Sequence, residues 1–109
     1  MTISTNYAAG RLTIGLCGEL DQHEAPGASR AITELLDDYL PRECVLDLSS
    51  LSFMDSSGIA VFVKANRHIR RNGGRLRLEN PRVQALRVID AAGLERMIPV
   101  DGGKIGGFT

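Results

Sequence analysis

Two short stretches near the N-terminus predict strands, and in the second one apolar and polar residues alternate, as in half-buried strands. They cover residues 2–7 and 11–17. The second stretch places three apolar side chains on one face: Leu12, Ile14 and Leu16. Ala9 and Gly10 lie between the two stretches and favour a tight turn. The pattern therefore predicts an N-terminal β-hairpin.

From about Ala25 the spacing of apolar residues changes to that of a helix. One stripe holds Ala28, Ile32, Leu35, Leu36 and Tyr39. Pro26 suits the first turn of a helix, and Pro41 cannot continue one. We therefore predict a first helix that ends before Pro41.

A short apolar run at residues 43–48 predicts an inner strand, and a Ser-rich loop follows it. The next segment is amphipathic and ends at Gly73-Gly74, which is typical of a helix stop. Its apolar side holds Ile59, Phe62, Val63 and Ile69, and its polar side holds Lys64, Arg67, Arg70 and Arg71. These residues predict a second helix that begins at the tetrapeptide formed by residues 55–58.

Residues 75–79 predict another strand. Asn80-Pro81 is typical of the cap and first position of a helix, and we expect this third helix to pack through three apolar residues. These are Val83, Leu86 and Ile89. Gly93 is expected to end the helix in the left-handed conformation, with Leu94 as its apolar contact. Residues 97–100 predict a last short strand or turn.

The element order ββαβαβα, with helices joining successive strands, predicts the α/β class. We expect a single domain with a mixed sheet of about four to five strands and helices packed on it, since 109 residues can bury about 65% of the extended chain's surface. The domain is expected to span residues 1–100. Residues 101–109, with four Gly, are expected to form a flexible tail.

The formal charge is zero, but it is divided unequally along the chain. Residues 1–55 carry three Arg against nine carboxylates, and residues 56–109 carry ten Lys or Arg against four. We expect the two halves to neutralise each other across neighbouring faces. The alternative is a nucleic-acid patch made of Arg67, Arg70, Arg71, Arg75 and Arg77. It is disfavoured because no aromatic residue is interleaved with these arginines to stack on bases.

Cys17 and Cys44 lie in apolar runs, and we expect both to be buried free thiols. Neither has a His at metal-ligand spacing, so no metal is predicted. No apolar stretch approaches the roughly 20 residues that cross a bilayer, and the N-terminus shows no secretory signal. The sequence thus predicts a soluble cytoplasmic protein that does not bind membranes.

The segment Asp55-Ser56-Ser57-Gly58 carries the candidate chemistry, because it lies where a strand gives way to a helix. A helix start has unpaired N–H groups and a partial positive charge, so the fold would tolerate a phosphoryl group on Ser56. The same group would repel or block a docked partner. The simpler interpretation is that Ser56 or Asp55 only caps the helix.

Residues 51–59, together with Gly18-Glu19-Leu20-Asp21 about 35 residues before the tetrapeptide, resemble the STAS domain of bacterial anti-sigma factor antagonists. The resemblance is strongest to the sporulation type, the anti-sigma F factor antagonists, and covers nearly the whole chain. The same motif serves other systems. A stress-response antagonist and a non-switching interaction module therefore remain alternatives.

The resemblance implies partner switching. In such families the unphosphorylated antagonist binds an anti-sigma factor, which is also a serine kinase, and releases the sigma factor. The kinase then phosphorylates the first serine of the motif, here Ser56, and a separate serine phosphatase reverses this. ATP is accordingly expected on the partner kinase, and no cofactor is expected on this chain.

The docking surface implied for the partner has one acidic position, Asp21, and the segment around Ser56. Phe53, Met54 and Ile59 are expected to form an apolar rim, and Gly58 a point of close backbone approach. Asp55 and Ser57 complete the set. Asp21 could instead stabilise a turn, Ser57 could be structural or a second acceptor, and Gly58 could serve only helix packing.

An enzyme is the remaining alternative, with Ser56 as nucleophile, His23 or His68 as base and Asp21 as orienting group. The chain lacks a Gly-x-Ser-x-Gly elbow around this serine. His68 lies twelve residues along the predicted helix, about 18 Å away by helical rise. We therefore predict a protein without catalytic residues of its own.

Overall fold

The computed structural model describes residues 1–102, in which a five-stranded sheet packs against three helices. The strands are β1 (Thr2–Ala8), β2 (Arg11–Leu20), β3 (Glu43–Met54), β4 (Arg75–Glu79) and β5 (Val100–Asp101). The helices are α1 (Ala25–Tyr39), α2 (Ser56–Arg71) and α3 (Val83–Ala91), and a short 3-10 helix spans Leu94–Arg96. The predicted element order is confirmed.

The strands lie in the order β1-β2-β3-β4-β5, with β1 antiparallel to β2 and all other neighbours parallel. Three successive crossovers therefore run in the same direction across the sheet. Because such connections are right-handed, they place α1, α2 and α3 on the same face. The predicted α/β class with a mixed sheet is confirmed, and the other face of the sheet stays open.

The N-terminal hairpin forms as predicted. Ala9 and Gly10 both have positive φ, 53° and 83°, which matches the two-residue turn that suits the twist of paired strands. Ala8 pairs with Arg11 across the turn. Leu12, Ile14 and Leu16 are fully buried, so the alternation in β2 correctly indicated the inner face.

The core lies between the inner face of the sheet and the helices. Its strand residues include Leu12, Ile14, Cys44, Leu46, Leu76 and Leu78. The predicted stripes of α1 and α2 meet them, with Ile32, Leu36, Phe62 and Ile69 each at most 1% exposed. Tyr39 lies at the end of its stripe and remains 40% exposed, against the ring of Tyr7 at 5.0 Å between centroids.

The Ser-rich segment after Leu48 is strand and not the predicted loop, because β3 continues to Met54. The pairing of β3 with β2 shifts register twice, between Gly15 and Cys17 and between Gly18 and Glu19 of β2. At each shift β3 contains one residue more than the facing part of β2. The inward positions Leu48, Leu51 and Met54 are consequently three residues apart, and all are fully buried. A spacing of three hides a strand from a search for alternation.

The predicted start of the third helix is wrong. Asn80 has φ 57°, and its N–H donates to the carbonyl of Asp101 in β5 at 2.8 Å. Helix α3 begins only at Val83, which was expected to pack but is 41% exposed. Of the other two expected packing residues, Leu86 is partly buried and Ile89 is fully buried. Gly93 does adopt the predicted left-handed conformation, φ 65°, and Leu94 is buried.

The open face of the sheet carries paired charges, but among residues 1–102 only one pair on this face, Arg77 with Glu43, joins the two halves of the chain. Arg11 Nε lies 2.8 Å from Glu43 Oε1. Arg77 lies 2.7 Å from Glu79, 3.2 Å from Asp101 and 3.7 Å from Glu43. Arg77 donates a side-chain hydrogen bond to Glu79, and this bond, with the negative charges of Glu43, Glu79 and Asp101, raises the pKa of Arg77, which stays charged.

The two cysteines differ in burial, so one prediction needs correction. Both thiols are free, but Cys17 is exposed, since it follows the inward-facing Leu16 in β2 and lies on the open face of the sheet. Cys44 is buried, and this burial raises its pKa to about 12. Cys44 is therefore an inert core thiol.

The C-terminal boundary differs slightly from the expected one. Asp101 belongs to β5 and pairs with Glu79, so the tail does not begin at residue 101. The expected flexible segment at residues 103–109 lies outside the described residues.

Candidate functional site

The candidate site lies where β2 and β3 end side by side. Leu20 and Met54 are register partners at the carboxyl ends of these parallel strands. The Asp55 N–H then donates to the Leu20 carbonyl at 3.4 Å. The two sequence signals, Asp21 and the tetrapeptide beginning at Asp55, are therefore brought to the same edge of the sheet, although 34 residues separate them.

Asp55 caps α2. Its backbone is extended, and its Oδ1 accepts a hydrogen bond from the Ser57 N–H at 2.8 Å. Its carbonyl accepts from the Gly58 N–H at 3.0 Å. The capping interpretation is thus correct for Asp55, and it leaves Ser56 free of that task.

Ser56 is the first residue of α2 and is exposed. Within residues 1–102 the structure gives its hydroxyl no hydrogen-bond partner. The positive end of the helix lies at this position, and α2 carries no acidic residue in its first turn. The arrangement presents an accessible hydroxyl where added negative charge is compatible with the helix.

Met54 and Gly58 face inward, which corrects their expected place on the docking surface. Met54 is fully buried and cannot supply an exposed apolar rim. Gly58 is buried as well, and a Cβ there would lie 2.8 Å from the Met54 Cε and 3.1 Å from Leu20 Cδ2. We therefore assign Gly58 to the packing of α2 on the sheet.

The remaining predicted residues lie at the surface. Phe53 is 38% exposed, and Ser57 and Ile59 are partly exposed. A groove of about 530 Å³ begins at Ser56 and follows the exposed side of α2. It is lined by Ser56, Ile59, Ala60, Val63, Lys64, Arg67, His68 and Arg71. The surface around Ser56 is thus apolar near the hydroxyl and basic further along the helix.

Asp21 stabilises the turn that leads into α1. This is the role that the sequence offered as the alternative to a partner contact. Its Oδ1 accepts from the N–H groups of His23 at 2.9 Å and Glu24 at 3.0 Å. The hydrogen bond from Glu24, with that from His23, lowers the pKa of Asp21 despite some desolvation that raises it. The side chain is partly exposed, so one carboxylate both stabilises the turn and adds negative charge beside the start of α2.

Sequence patterns missed Gln84, which contacts the strand end beside the site. Gln84 Oε1 accepts from the Met54 N–H, and its Nε2 donates to the Met54 carbonyl, both at 2.9 Å. Thirty residues separate the partners. A lone Gln on a short helix carries no signal of such a contact in the sequence.

The enzyme alternative gains no support from the histidines. His68 Nε2 lies 2.7 Å from Asp37 Oδ1 and links α2 to α1, well along the helix from Ser56. Among residues 1–102, no three His, Cys, Asp or Glu side chains are grouped closely enough to hold a metal ion. The helices in this part of the chain are too short or too polar to span a membrane.

Comparison with known proteins gives consistent matches over nearly the whole chain. The family model of the STAS domain matches residues 3–103. An anti-sigma-B factor antagonist from Bacillus subtilis is 31% identical over 97 residues, 88% of this chain and 86% of that protein. An anti-sigma F factor antagonist from Paenibacillus polymyxa is 28% identical over 109 residues, 100% of this chain and 93% of that protein.

The fold is also similar to a solved structure. The anti-sigma factor antagonist SpoIIAA in its unphosphorylated form superposes with a TM-score of 0.77 and 24% identity. The match covers 96% of this chain and 90% of that one. The single α/β domain with its mixed sheet is therefore a known architecture.

Proposed function

The chain belongs to the STAS domain family, and we propose that it is an anti-sigma factor antagonist which works by partner switching, with Ser56 as the phosphorylated residue. Unphosphorylated protein binds an anti-sigma factor that is also a serine kinase, and the sigma factor is released. Phosphorylation of Ser56 ends this binding, and a serine phosphatase restores it.

The observation that supports this proposal best is the division of work between Asp55 and Ser56. Since Asp55 caps α2, the Ser56 hydroxyl is exposed and free to accept a phosphoryl group. A phosphoserine at the first helical position would be stabilised by the helix dipole and by nearby N–H groups. The modification would therefore leave the fold intact and change the surface alone.

The change in surface charge is large enough to act as a switch. A phosphoryl group adds about 1.5 to 2 negative charges. It would be placed beside the carboxylate of Asp55 and near that of Asp21. Converting 99% bound to 1% bound needs about 5.5 kcal/mol of differential affinity. Leaving a charge buried without a partner in an interface typically costs about 2 to 5 kcal/mol or more, and steric overlap adds to it.

We assign the docking surface to residues that are exposed at this edge of the sheet. This switch surface consists of Asp21, Phe53, Asp55, Ser56, Ser57 and Ile59. Ile59 lines the groove that begins at Ser56, and Phe53 is an exposed apolar residue three positions before Ser56 in the chain. An apolar centre with a polar rim is the usual composition of a protein interface.

The proposed role needs no chemistry from this chain. ATP belongs to the partner kinase, and we propose neither a cofactor nor a catalytic residue here. The partners are cytoplasmic in this scheme, which places the protein there too. The relatives include both anti-sigma-B and anti-sigma F factor antagonists. The sporulation type expected from the sequence therefore stays a prediction, and the mechanism proposed is the one common to both.

The test is incubation with the candidate anti-sigma kinase and ATP, followed by mass mapping of the modified residue. We expect one phosphate, on Ser56. Ser57→Ala removes the neighbouring hydroxyl and should still be modified on Ser56, whereas Ser56→Ala should not be modified. A phosphate on Ser57, or none on the wild-type chain, would contradict the proposal.

A further inference from the structure

In the part of the chain that the structure describes, the second half of β3 has a neighbouring strand on one side only. Strand β4 pairs with β3 from Glu43 to Asp47 and no further. Beyond that point β3 continues to Met54 with β2 as its neighbour on the other side. The segment that leads directly to Ser56 therefore runs along an edge that β4 leaves uncovered.

Side chains from the start of α3 cover this edge. Arg82 Nε donates to the Ser49 carbonyl at 3.0 Å. Gln84 makes two bonds with one residue: its Oε1 accepts from the Met54 N–H, and its Nε2 donates to the Met54 carbonyl, both at 2.9 Å. A carboxamide offers one acceptor and donors in one plane, so Gln84 replaces the missing strand at Met54.

Met54 is consequently held from three directions. Its backbone lies beside Leu20 of β2 on one side and bonds to Gln84 on the other. Its side chain is fully buried and fills the space next to Gly58. Asp55 and Ser56 follow immediately, and Asp55 is fixed by its own cap bond. Two residues, Met54 and Asp55, thus connect the Gln84 hydrogen bonds to Ser56, and each of them is fixed by hydrogen bonds of its own.

We propose that Gln84 is a positioning residue for Ser56: its carboxamide fixes the end of β3 and thereby the place from which the hydroxyl is presented to the modifying enzyme. The part that concerns modification rests on the proposed function. Phosphoryl transfer depends mainly on alignment of the acceptor, and a misplacement of about 1 Å can lower a rate by about 100-fold. Gln84 itself touches neither the phosphate nor the partner in this assignment.

The test replaces Gln84 with Met, which has a similar size and helix propensity but can form neither bond. Arg87→Met is the matched control, since Arg87 is exposed on the same helix. Two readouts apply to the full chain: amide hydrogen exchange at residues 54–57, with Leu46 as a core reference, and steady-state phosphorylation by the anti-sigma kinase.

For Gln84→Met we expect the Met54 amide to exchange about 10-fold faster, the size of one lost hydrogen bond, with Leu46 unchanged. We expect kcat for Ser56 phosphorylation to fall by about 10- to 100-fold, with KM changed by less than about 3-fold. Arg87→Met should match the wild type in both readouts.

Three results would overturn the assignment. Unchanged Met54 exchange in Gln84→Met would mean that the bridge does not hold the strand end. Faster exchange with unchanged kcat would mean that the bridge does not position Ser56. A fall in kcat together with faster exchange at Leu46 would indicate general destabilisation. If wild-type Ser56 is not phosphorylated at all, the proposed function fails, and the exchange data still decide whether Gln84 fixes this segment.

Discussion

Neighbouring residues at the start of α2 have separate tasks, because Asp55 accepts the cap hydrogen bond and Ser56 keeps a free hydroxyl. At this scale the proposed switch is one oxygen atom. We expect Ser56→Ala to bind the anti-sigma kinase persistently in the presence of ATP, since no phosphate can form. Ser56→Asp should bind at least about 10-fold more weakly than Ser56→Ala, because it places a charge in the same interface. Titration calorimetry with and without ATP measures both. Release of Ser56→Ala on addition of ATP would contradict the switch.

The free energy of unfolding can distinguish the capping role of Asp55 from the proposed switch role of Ser56. Asp55→Ala should lower the free energy of unfolding by about 1 kcal/mol, since the Ser57 N–H loses its acceptor. Asp55→Asn keeps an oxygen in the same place and should cost only a few tenths. Ser56→Ala should lie within about 0.5 kcal/mol of the wild type, because its side chain is exposed. Urea midpoints at constant m-value measure these differences. Equal losses for Asp55→Ala and Ser56→Ala would contradict the assignment of the cap.

Asp21 should make stability depend on pH in the acid range. Its pKa is lowered in the folded state, mainly by the Glu24 N–H, relative to 3.8 for an unperturbed group. The carboxylate therefore contributes stability that is complete above the unfolded pKa and is lost as pH falls through the folded pKa. Asp21→Asn retains an acceptor oxygen but does not titrate. We expect the difference in stability between the two proteins to change below about pH 4 and to be constant above about pH 5. Urea unfolding between pH 3 and 7 measures it, and a constant difference throughout would contradict the prediction.

At the scale of elements, two helical glycines should respond in opposite ways to the same substitution. Gly27 in α1 has open space around its Cβ position, so Gly27→Ala should stabilise the fold by up to about 1 kcal/mol. A Cβ on Gly58 would meet Met54 Cε at 2.8 Å. Leu20 Cδ2 at 3.1 Å and Met54 Cβ at 3.3 Å would crowd the same Cβ, and both side chains are fully buried. Gly58→Ala should therefore overpack α2 on β3 and lose about 1 kcal/mol or more despite the gain in helix propensity. Thermal unfolding of both variants compares them. A stabilised Gly58→Ala would mean that Gly58 does not serve packing.

Helices and strands were predictable where the residues that define them are close together in the sequence. The stripe of α1 and its Pro26, and the cap and glycine stop of α2, lie within each helix, and the structure confirms them. The second half of β3 was missed because two extra residues spoil its alternation, and these are defined only by pairing with β2. The start of α3 was missed because Asn80 bonds to Asp101. Each failure therefore traces to a contact between residues that are distant in sequence.

The same limit applies to the site. Asp55 and Ser56 were found because a cap and a helix start leave a local pattern. The burial of Met54 depends on the bulges of β3, and the bridge from Gln84 depends on how α3 returns to the sheet. Topology brings these residues to one edge of the molecule. The strand and helix topology could be inferred in outline from the rule of right-handed crossovers, but individual hydrogen bonds could not.

At the scale of the whole molecule, the arginines that suggested a nucleic-acid patch are divided between opposite faces of the sheet. Arg75 and Arg77 lie on the open face, and Arg77 is engaged with Glu43, Glu79 and Asp101. Arg67, Arg70 and Arg71 belong to α2, which covers the other face. In the part of the chain that the structure describes, these five arginines therefore do not form one patch that could follow a phosphate backbone. We expect duplex DNA not to be retained by the immobilised protein at about 100 mM salt, whereas the anti-sigma kinase should be retained. Retention of DNA that falls steeply with rising salt would contradict this, because it would require several of these cations to act on one face.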